Sequence, residues 1–284
     1  MQEAGAALGS CNPPLPTLGQ GGWLIVVKRA SRWLSNLGAH ATLEEDAFVA
    51  GAWVLALGGA EQSHVNVDHP GEIFYEYLRR LANHVDEHSE PGRPLRVLHL
   101  GAGALTLARY VENTRPGSVQ VAVDLERELL DFVLDALPMA DAGNLRTIIG
   151  DARNVLTHEL ATEEFDIVVL DIFSGFGAPR HLTVPEFYAE MNDLLRPGGL
   201  VLVNVGDDPP FAFADSQIEA MSQVFATVVA SAPTEIFSRK YPGNMILAGT
   251  QARLDLTVVD RLRAAGPHPG TVLFGAELDG FGKP

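Results

Sequence analysis

The stretch from Leu95 to Tyr110, Leu-Arg-Val-Leu-His-Leu-Gly-Ala-Gly-Ala-Leu-Thr-Leu-Ala-Arg-Tyr, constrains the chain more than any other. Leu95, Val97, Leu98 and Leu100 form an apolar run of strand length. Leu105, Leu107, Ala108 and Val111 then follow at helical spacing among good helix formers. The join, Gly101-Ala102-Gly103, lets the backbone turn sharply and approach a ligand with no Cβ in the way. It also sits at a helix N-terminus, where free N–H groups favour electron-rich atoms.

Many strand-to-helix turns need glycine for geometry alone, so the next strand matters. Val119, Val121 and Val123 lead to Asp124, at about the twenty-residue spacing where an acid meets a ribose hydroxyl. A nucleoside-containing ligand follows from that pairing. The third glycine of the dinucleotide fingerprint is Thr106 here, which argues against a nicotinamide cofactor.

Strand and helix signals alternate from there. A helix is predicted over Glu126 to Ala136, a strand over Leu145 to Ile149 ending at Gly150-Asp151, and a strand over Phe165 to Leu170 ending at Asp171. A helix over Pro185 to Leu195, the turn Arg196-Pro197-Gly198-Gly199 and a strand over Leu200 to Val205 come next. The last elements predicted are a helix over Gln217 to Val229 and strands over Thr234 to Phe237 and Met245 to Ala248. Such alternation means an α/β fold, a mainly parallel sheet with helices on both faces. Ligands in such sheets bind beyond the carboxyl ends of the strands, so Gly101, Gly103, Asp124, Asp151 and Asp171 should converge on one rim. Each acid alone has a plainer reading as a helix N-cap, and Asp151 before Ala152-Arg153-Asn154 fits that reading well.

Ahead of this core, residues 1–22 are rich in Gly and Pro and read as a disordered leader. Residues 23–70 read as an appendage: an amphipathic helix over Trp23 to Leu37, then a β-hairpin of Phe48 to Leu57 and Gln62 to Val67 turning at Gly58-Gly59. Residues 71–250 form the nucleoside-binding unit, entered by a helix over Glu72 to His88. Residues 251–284, with a helix over Leu256 to Ala265, form a C-terminal extension without an assigned role.

The chain of 284 residues carries a net charge of −16 and one cysteine. That charge argues against a protein that tracks a phosphate backbone, so no nucleic-acid partner is expected. Cys11 has no intrachain partner, and no apolar run approaches the length of a membrane span. A cytoplasmic protein is therefore expected. Metal binding is not expected: His84 and His88 have i, i+4 spacing, but Asp86 and Glu87 mark that stretch as a solvated helix end. His64 is weighed as a base and read as more simply a packed strand histidine, and no Gly-x-Ser-x-Gly elbow supports a serine hydrolase.

The order Gly101-Ala102-Gly103, Asp124, Gly150-Asp151, Asp171, Gly177-Ala178-Pro179, Leu182-Thr183, Glu186-Phe187-Tyr188 and Arg196-Pro197-Gly198-Gly199 resembles the spermidine synthase family, with Gln62, Tyr75 and Tyr241-Pro242-Gly243 as further points of likeness. The resemblance implies a class I methyltransferase-like Rossmann sheet preceded by a small β-hairpin appendage. It also implies aminopropyl transfer from decarboxylated S-adenosylmethionine to a small amine. By position, Asp124 would hold the ribose, Asp151 and Ala152 would face the adenine, and Gln62, Gly101 and Gly103 would line the nucleoside pocket. Asp171 and Tyr75 would be catalytic, and Tyr75, Ser174 and Tyr241 would contact the amine. A homodimer is expected.

Three positions depart from the family pattern. The acid of its glycine loop is Ala104, the second acid of its Asp-Ser-Ser-Asp motif is Ser174, and its Tyr-His pair is Tyr75-Glu76. Loss of two carboxylates should weaken binding of a diamine and of the decarboxylated donor unless Glu76, Asp207 or Asp208 substitutes. Two other readings therefore stand beside the first. One is an S-adenosylmethionine-dependent methyltransferase, with Asp171, Tyr75 or His64 as base; the other is a non-catalytic nucleoside-binding homologue, dimeric through its hairpin and helix.

Overall fold

The computed structural model describes residues 17–18, 24–25, 28–172 and 179–280. Strands β1 (Thr17–Leu18) and β2 (Leu24–Ile25) pair with each other as a short ladder. A four-stranded antiparallel meander follows: β3 (Arg29–Leu34), β4 (Ala39–Glu45), β5 (Ala52–Leu57) and β6 (Ala60–Asn66).

The helix expected over Trp23 to Leu37 is thus corrected: its described part holds the strands Leu24–Ile25 and Arg29–Leu34, and a turn begins at Ser35. Ala30, Arg32 and Leu34 face inward and Arg29, Ser31 and Trp33 face outward, a period of two. Arg32 hid that alternation: its guanidinium lies 5.3 Å over the Phe132 ring and pairs with Asp135 at 2.9 Å, so an inward position reads as charged. The expected hairpin forms between β5 and β6, but Phe48 lies in an exposed loop before β5.

The main sheet begins after α1 (Glu76–Glu87), whose buried Leu78, Leu81, Ala82 and Val85 recur at helical spacing. In chain order come β7 (Arg96–Leu100), α2 (Thr106–Thr114), β8 (Val119–Asp124), α3 (Arg127–Ala136), β9 (Leu145–Ile149), α4 (Ala152–His158), β10 (Phe165–Leu170), α5 (Pro185–Asp193) and β11 (Leu195–Asp207). Then follow α6 (Ala212–Ser222), β12 (Thr227–Pro233), β13 (Gly243–Thr250), α7 (Leu256–Ala265), β14 (Gly270–Phe274) and α8 (Ala276–Gly280). The strand order is β14-β12-β13-β11-β10-β7-β8-β9, with β11, β10, β7, β8 and β9 mutually parallel. β10 reads Phe-Asp-Ile-Val-Val-Leu and is buried along nearly its whole length, as a central parallel strand covered on both faces must be.

One face of the sheet packs on α1, α2 and α7 through Leu81, Val97, Ile167 and Leu202; the other packs on α4, α5 and α6 through Leu98, Val168, Phe187 and Met221. The meander is not a separate body. Leu34, Leu43, Leu55 and Val65 share one core with Ala104 and with Leu129, Phe132 and Val133 of α3.

Three further sequence readings are corrected. The helix expected over Gln217 to Val229 is two elements, because Thr227-Val228-Val229 is a β-branched run that enters β12, while α6 begins earlier at Ala212. Thr234 to Phe237 is no strand: Ile236–Ser238 is a 3-10 turn. Arg196-Pro197-Gly198-Gly199 lies inside β11, where the pairing with β10 jumps from Leu195 to Leu200. The C-terminal segment forms α7 as expected and also adds β14 antiparallel to β12 at the sheet edge.

Candidate active site

A cavity of about 360 Å³ opens at the carboxyl ends of β7, β8, β9 and β10 and is roofed by Leu37, Leu55, Leu57, Gln62 and Ser63 of the meander. Gly101, Gly103, Asp124, Asp151, Ala152, Asp171 and Gln62, seven residues expected from the sequence, all line it. The close packing of chain ends explains the glycines. Gly101 has φ +94°, and a Cβ there would lie 2.3 Å from the Asp171 carbonyl oxygen. Gly103 has φ +50°, with Ser63 Oγ 2.8 Å from where its Cβ would be. Both the handedness and the space exclude a side chain.

Asp124 holds the glycine turn in place. Its Oδ2 accepts the Ala102 N–H at 3.0 Å and its Oδ1 accepts the Glu126 N–H at 2.8 Å. Leu125 beside it is 73% exposed, and the buried Glu126 also lines the cavity while capping α3 through the Glu128 N–H. Asp151 caps α4 through the Asn154 N–H at 3.1 Å and lies 2.7 Å from His181 Nε2. Burial opposes its ionisation, but those two partners outweigh burial and hold its carboxyl below the usual range.

The opposite end of the cavity is built from side chains. Asp171 follows β10, and its Oδ1 accepts the Asn204 Nδ2–H at 2.8 Å; Asn204 Oδ1 in turn accepts from Asn244 Nδ2 at 2.9 Å. Burial pushes the Asp171 carboxyl up, and the Asn204 bond only partly offsets this. Tyr77 of α1 lines the same end, its phenol driven well above its ordinary value by burial and then by the negative charge of Asp171. His99 completes it. Its Nε2 lies 2.9 Å from Gln120 Oε1, and burial lowers the imidazole to about 4.

Tyr75 and Tyr241, expected at the site, are not among the lining residues. Tyr75 donates to Glu61 at 3.3 Å, and burial and the Glu61 charge push its phenol up to about 12. Tyr241 is 56% exposed, and Ser174 lies outside the described residues. His64 is buried, 3.0 Å from Asp46 Oδ2, with the Phe74 ring tilted against it at 4.5 Å between centroids, so its partner is in the meander loop. His84 is a correction: it is buried, bonded to Ser231 at 3.2 Å and lowered to about 4, not part of a solvated helix end. Among the described residues, no three His, Cys, Asp or Glu side chains gather as a metal site, and no helix is long and apolar enough to cross a membrane.

The proposed substitutes for the missing acids stand away from the cavity. Glu76 pairs with Arg80 at 2.5 Å, and Asp207 Oδ2 caps α6 through the Ala214 N–H at 2.9 Å. Asp208 lies in the turn after β11, and none of the three lines the cavity.

Sequence reasoning passed over Tyr77, His99, Glu126 and Asn204. A signal existed for two of them: His99 is a polar residue within the apolar run Val97 to Leu100, and Tyr77 lies within the buried stripe of α1 whereas Tyr75 precedes the helix.

The spermine/spermidine synthase domain matches residues 75–257. Two curated relatives are polyamine aminopropyltransferases. That of Korarchaeum cryptofilum is 31% identical over 116 residues, covering 39% of this chain and 35% of the relative. That of Chromobacterium violaceum is 23% identical over 204 residues, covering 71% of this chain and 73% of the relative. The chain thus spans about a third of the first relative's length and nearly three quarters of the second's. Among solved structures, a probable spermidine synthase from Corynebacterium glutamicum superposes with TM-score 0.77 at 25% identity, covering 89% of this chain and 91% of that one. Human methyltransferase-like protein 13 in complex with SAH shares the fold, with TM-score 0.53 at 17% identity over 66% of this chain and 87% of that one.

Proposed function

Because the chain belongs to the spermine/spermidine synthase family, we propose that it transfers an aminopropyl group from decarboxylated S-adenosylmethionine to a small amine. The observation that carries this reading is the carboxyl of Asp171, set on the cavity wall at the end of β10 with its Oδ1 held by Asn204, where burial raises its proton affinity. An ammonium is no nucleophile until it loses a proton, and a buried carboxylate both attracts the cation and takes that proton.

The residues at the other end suit such a donor. Each oxygen of Asp124 spends one lone pair on a backbone N–H, which leaves one on each for ribose hydroxyls. Leu125 and Ala152 offer apolar surface to an adenine, with Asp151 at its edge and Gln62 above. When bound, the sulfonium donor supplies an electrophilic carbon and a neutral thioether leaving group. The chain's part is to hold the amine at Asp171. The ammonium proton passes to the carboxylate, the freed nitrogen lone pair forms the new C–N bond, and the C–S electron pair departs on sulfur as methylthioadenosine. The acceptor end carries one carboxylate among its described residues, so it suits an amine with one ammonium and an apolar arm better than a diamine.

A second reading is favoured by one observation. Ala104 is 1% exposed, packed in the meander core, so no acid stands there to hold a donor amino group. The N–H groups at the start of α2 would instead suit the carboxylate of intact S-adenosylmethionine, which points to methyl transfer. Calorimetric titration with methylthioadenosine, decarboxylated S-adenosylmethionine and S-adenosylmethionine separates the two. Tighter binding of the decarboxylated donor is expected; preference for the intact donor favours methyl transfer, and binding of none leaves a non-catalytic scaffold.

A further inference from the structure

Two hydrogen-bond chains on the α1 face of the main sheet end at His99 and at Asp171. In the first, Gln120 Nε2 donates to the Ala108 carbonyl at 2.9 Å. Its Oε1 is therefore the atom facing His99, and His99 Nε2 must carry the ring proton. Nδ1 is then a bare acceptor. Among the described residues it meets no donor, and His99 is one of the residues that line the cavity. In the second chain Asn244 donates to Asn204 and Asn204 to Asp171 Oδ1. Among the described residues Asp171 Oδ2 has no hydrogen-bond partner, and Asp171 lines the same cavity. Register brings the two ends together: His99 pairs with Val169 of the adjacent strand, and Asp171 is two residues further along that strand, on the same face.

We infer that His99 is a second amine-binding group, whose bare Nδ1 accepts one N–H of the acceptor nitrogen while Asp171 Oδ2 takes another. This rests on the reading of Asp171 as the amine site and assigns the nitrogen's orientation to a residue that reading left unused. An ammonium has three N–H groups. When one proton passes to Asp171, two N–H bonds remain, and with one held by His99 the new lone pair has a fixed direction. Leu78, Leu107 and Val169 around these groups leave apolar room for the carbon arm of a primary amine. The low proton affinity of the buried imidazole keeps Nδ1 an acceptor near neutral pH, where a charged ring would repel the substrate.

The test uses methylthioadenosine-loaded protein titrated with butylamine, in wild type and in a His99→Leu, Gln120→Leu pair. Removing both partners avoids stranding Gln120 Oε1. The pair should bind methylthioadenosine as wild type does and butylamine about tenfold or more weakly, the loss of one hydrogen bond to a charged group. In wild type, nitrogen-15 spectra of the histidine rings should show a neutral His99 protonated at Nε2, with the Nδ1 signal moving as butylamine is added. Unchanged butylamine affinity in the pair, or an Nδ1 signal indifferent to the amine that does bind, overturns the inference. Failure of wild type to bind butylamine at all overturns the amine-transfer reading itself. Should the pair not fold, the wild-type spectra decide alone.

Discussion

The two ends of the cleft are made in different ways. The proposed donor end is backbone: two glycines with positive φ, three strand ends, and acids whose oxygens already hold main-chain N–H groups. The proposed acceptor end is side chain: Tyr77 from α1, His99 from β7 and Asp171 from β10, with Asn204 of β11 bonded to Asp171. A backbone-built pocket tolerates change in what it does next to it, because its shape is set by the sheet. A side-chain-built pocket changes specificity with single substitutions.

The contrast is broken most sharply at Asp171. Asp171→Asn keeps the shape and the Asn204 contact but cannot take a proton, so kcat should fall by about 10²–10⁴ while methylthioadenosine affinity stays unchanged. Steady-state kinetics with parallel calorimetry read both. Equal loss of nucleoside binding would mean that the two ends are not separable. The same variant has a stability signature. Burial raises the folded-state pKa of Asp171, so its favourable contribution is complete below the unfolded-state pKa and is lost as pH rises through the folded value. At neutral pH the ionised group is therefore a net burden, and Asp171→Asn should melt higher than wild type there, with the advantage vanishing at strongly acidic pH.

Gly101→Ala attacks the donor end through the backbone. Its Cβ would sit 2.3 Å from the Asp171 carbonyl oxygen at φ +94°, so β7 and β10 must separate. A loss of about 1–3 kcal/mol in denaturant unfolding is expected, with nucleoside affinity falling as well. A smaller change sharpens the acceptor end. Tyr77→Phe should raise the amine KM by about fivefold to tenfold, the scale of the one hydrogen bond that its phenol can offer a bound amine, and Tyr75→Phe should leave it nearly unchanged, because Tyr77 lines the cavity and Tyr75 faces Glu61. The reverse ranking would return the acceptor role to the tyrosine that the sequence singled out.

The same contrast decides what could be read in advance. Strand ends and glycine turns are local signals, so the sheet, the rim and Gly101, Gly103, Asp124, Asp151 and Asp171 were legible together. Tyr77 was legible only as part of an apolar stripe, since the two-residue difference from Tyr75 matters only once α1 is laid on the sheet. His99 and Asn204 acquire meaning from neighbours on other strands, which no spacing records. The meander strand β3 failed for a related reason: Arg32 is inward-facing because Phe132 and Asp135 of α3 receive it, a tertiary circumstance that overrides local polarity.

The weakest expected effect lies where the two construction modes meet. His181, from the 3-10 turn Arg180–Leu182, lies 2.7 Å from Asp151 Oδ2, so a donor-end acid leans on a side chain from the segment that also brings Pro179 and Leu182 to the cavity wall. Asp151 is held below its ordinary range, so its contribution is present above the unfolded-state pKa and lost as pH falls through the folded value. Its side chain is 39% exposed and that of His181 47%, so solvent screens the pair heavily. His181→Ala should therefore cost less than about 1 kcal/mol at pH 7, and the difference should shrink in high salt and disappear at pH values where Asp151 is protonated in both proteins. The Asn154 N–H continues to hold Asp151 Oδ1 in the variant, so nucleoside affinity should change by no more than about threefold. A drop of tenfold or more would show that the donor end depends on a side-chain clamp after all, and that the division between a backbone-built and a side-chain-built end runs elsewhere in the cleft.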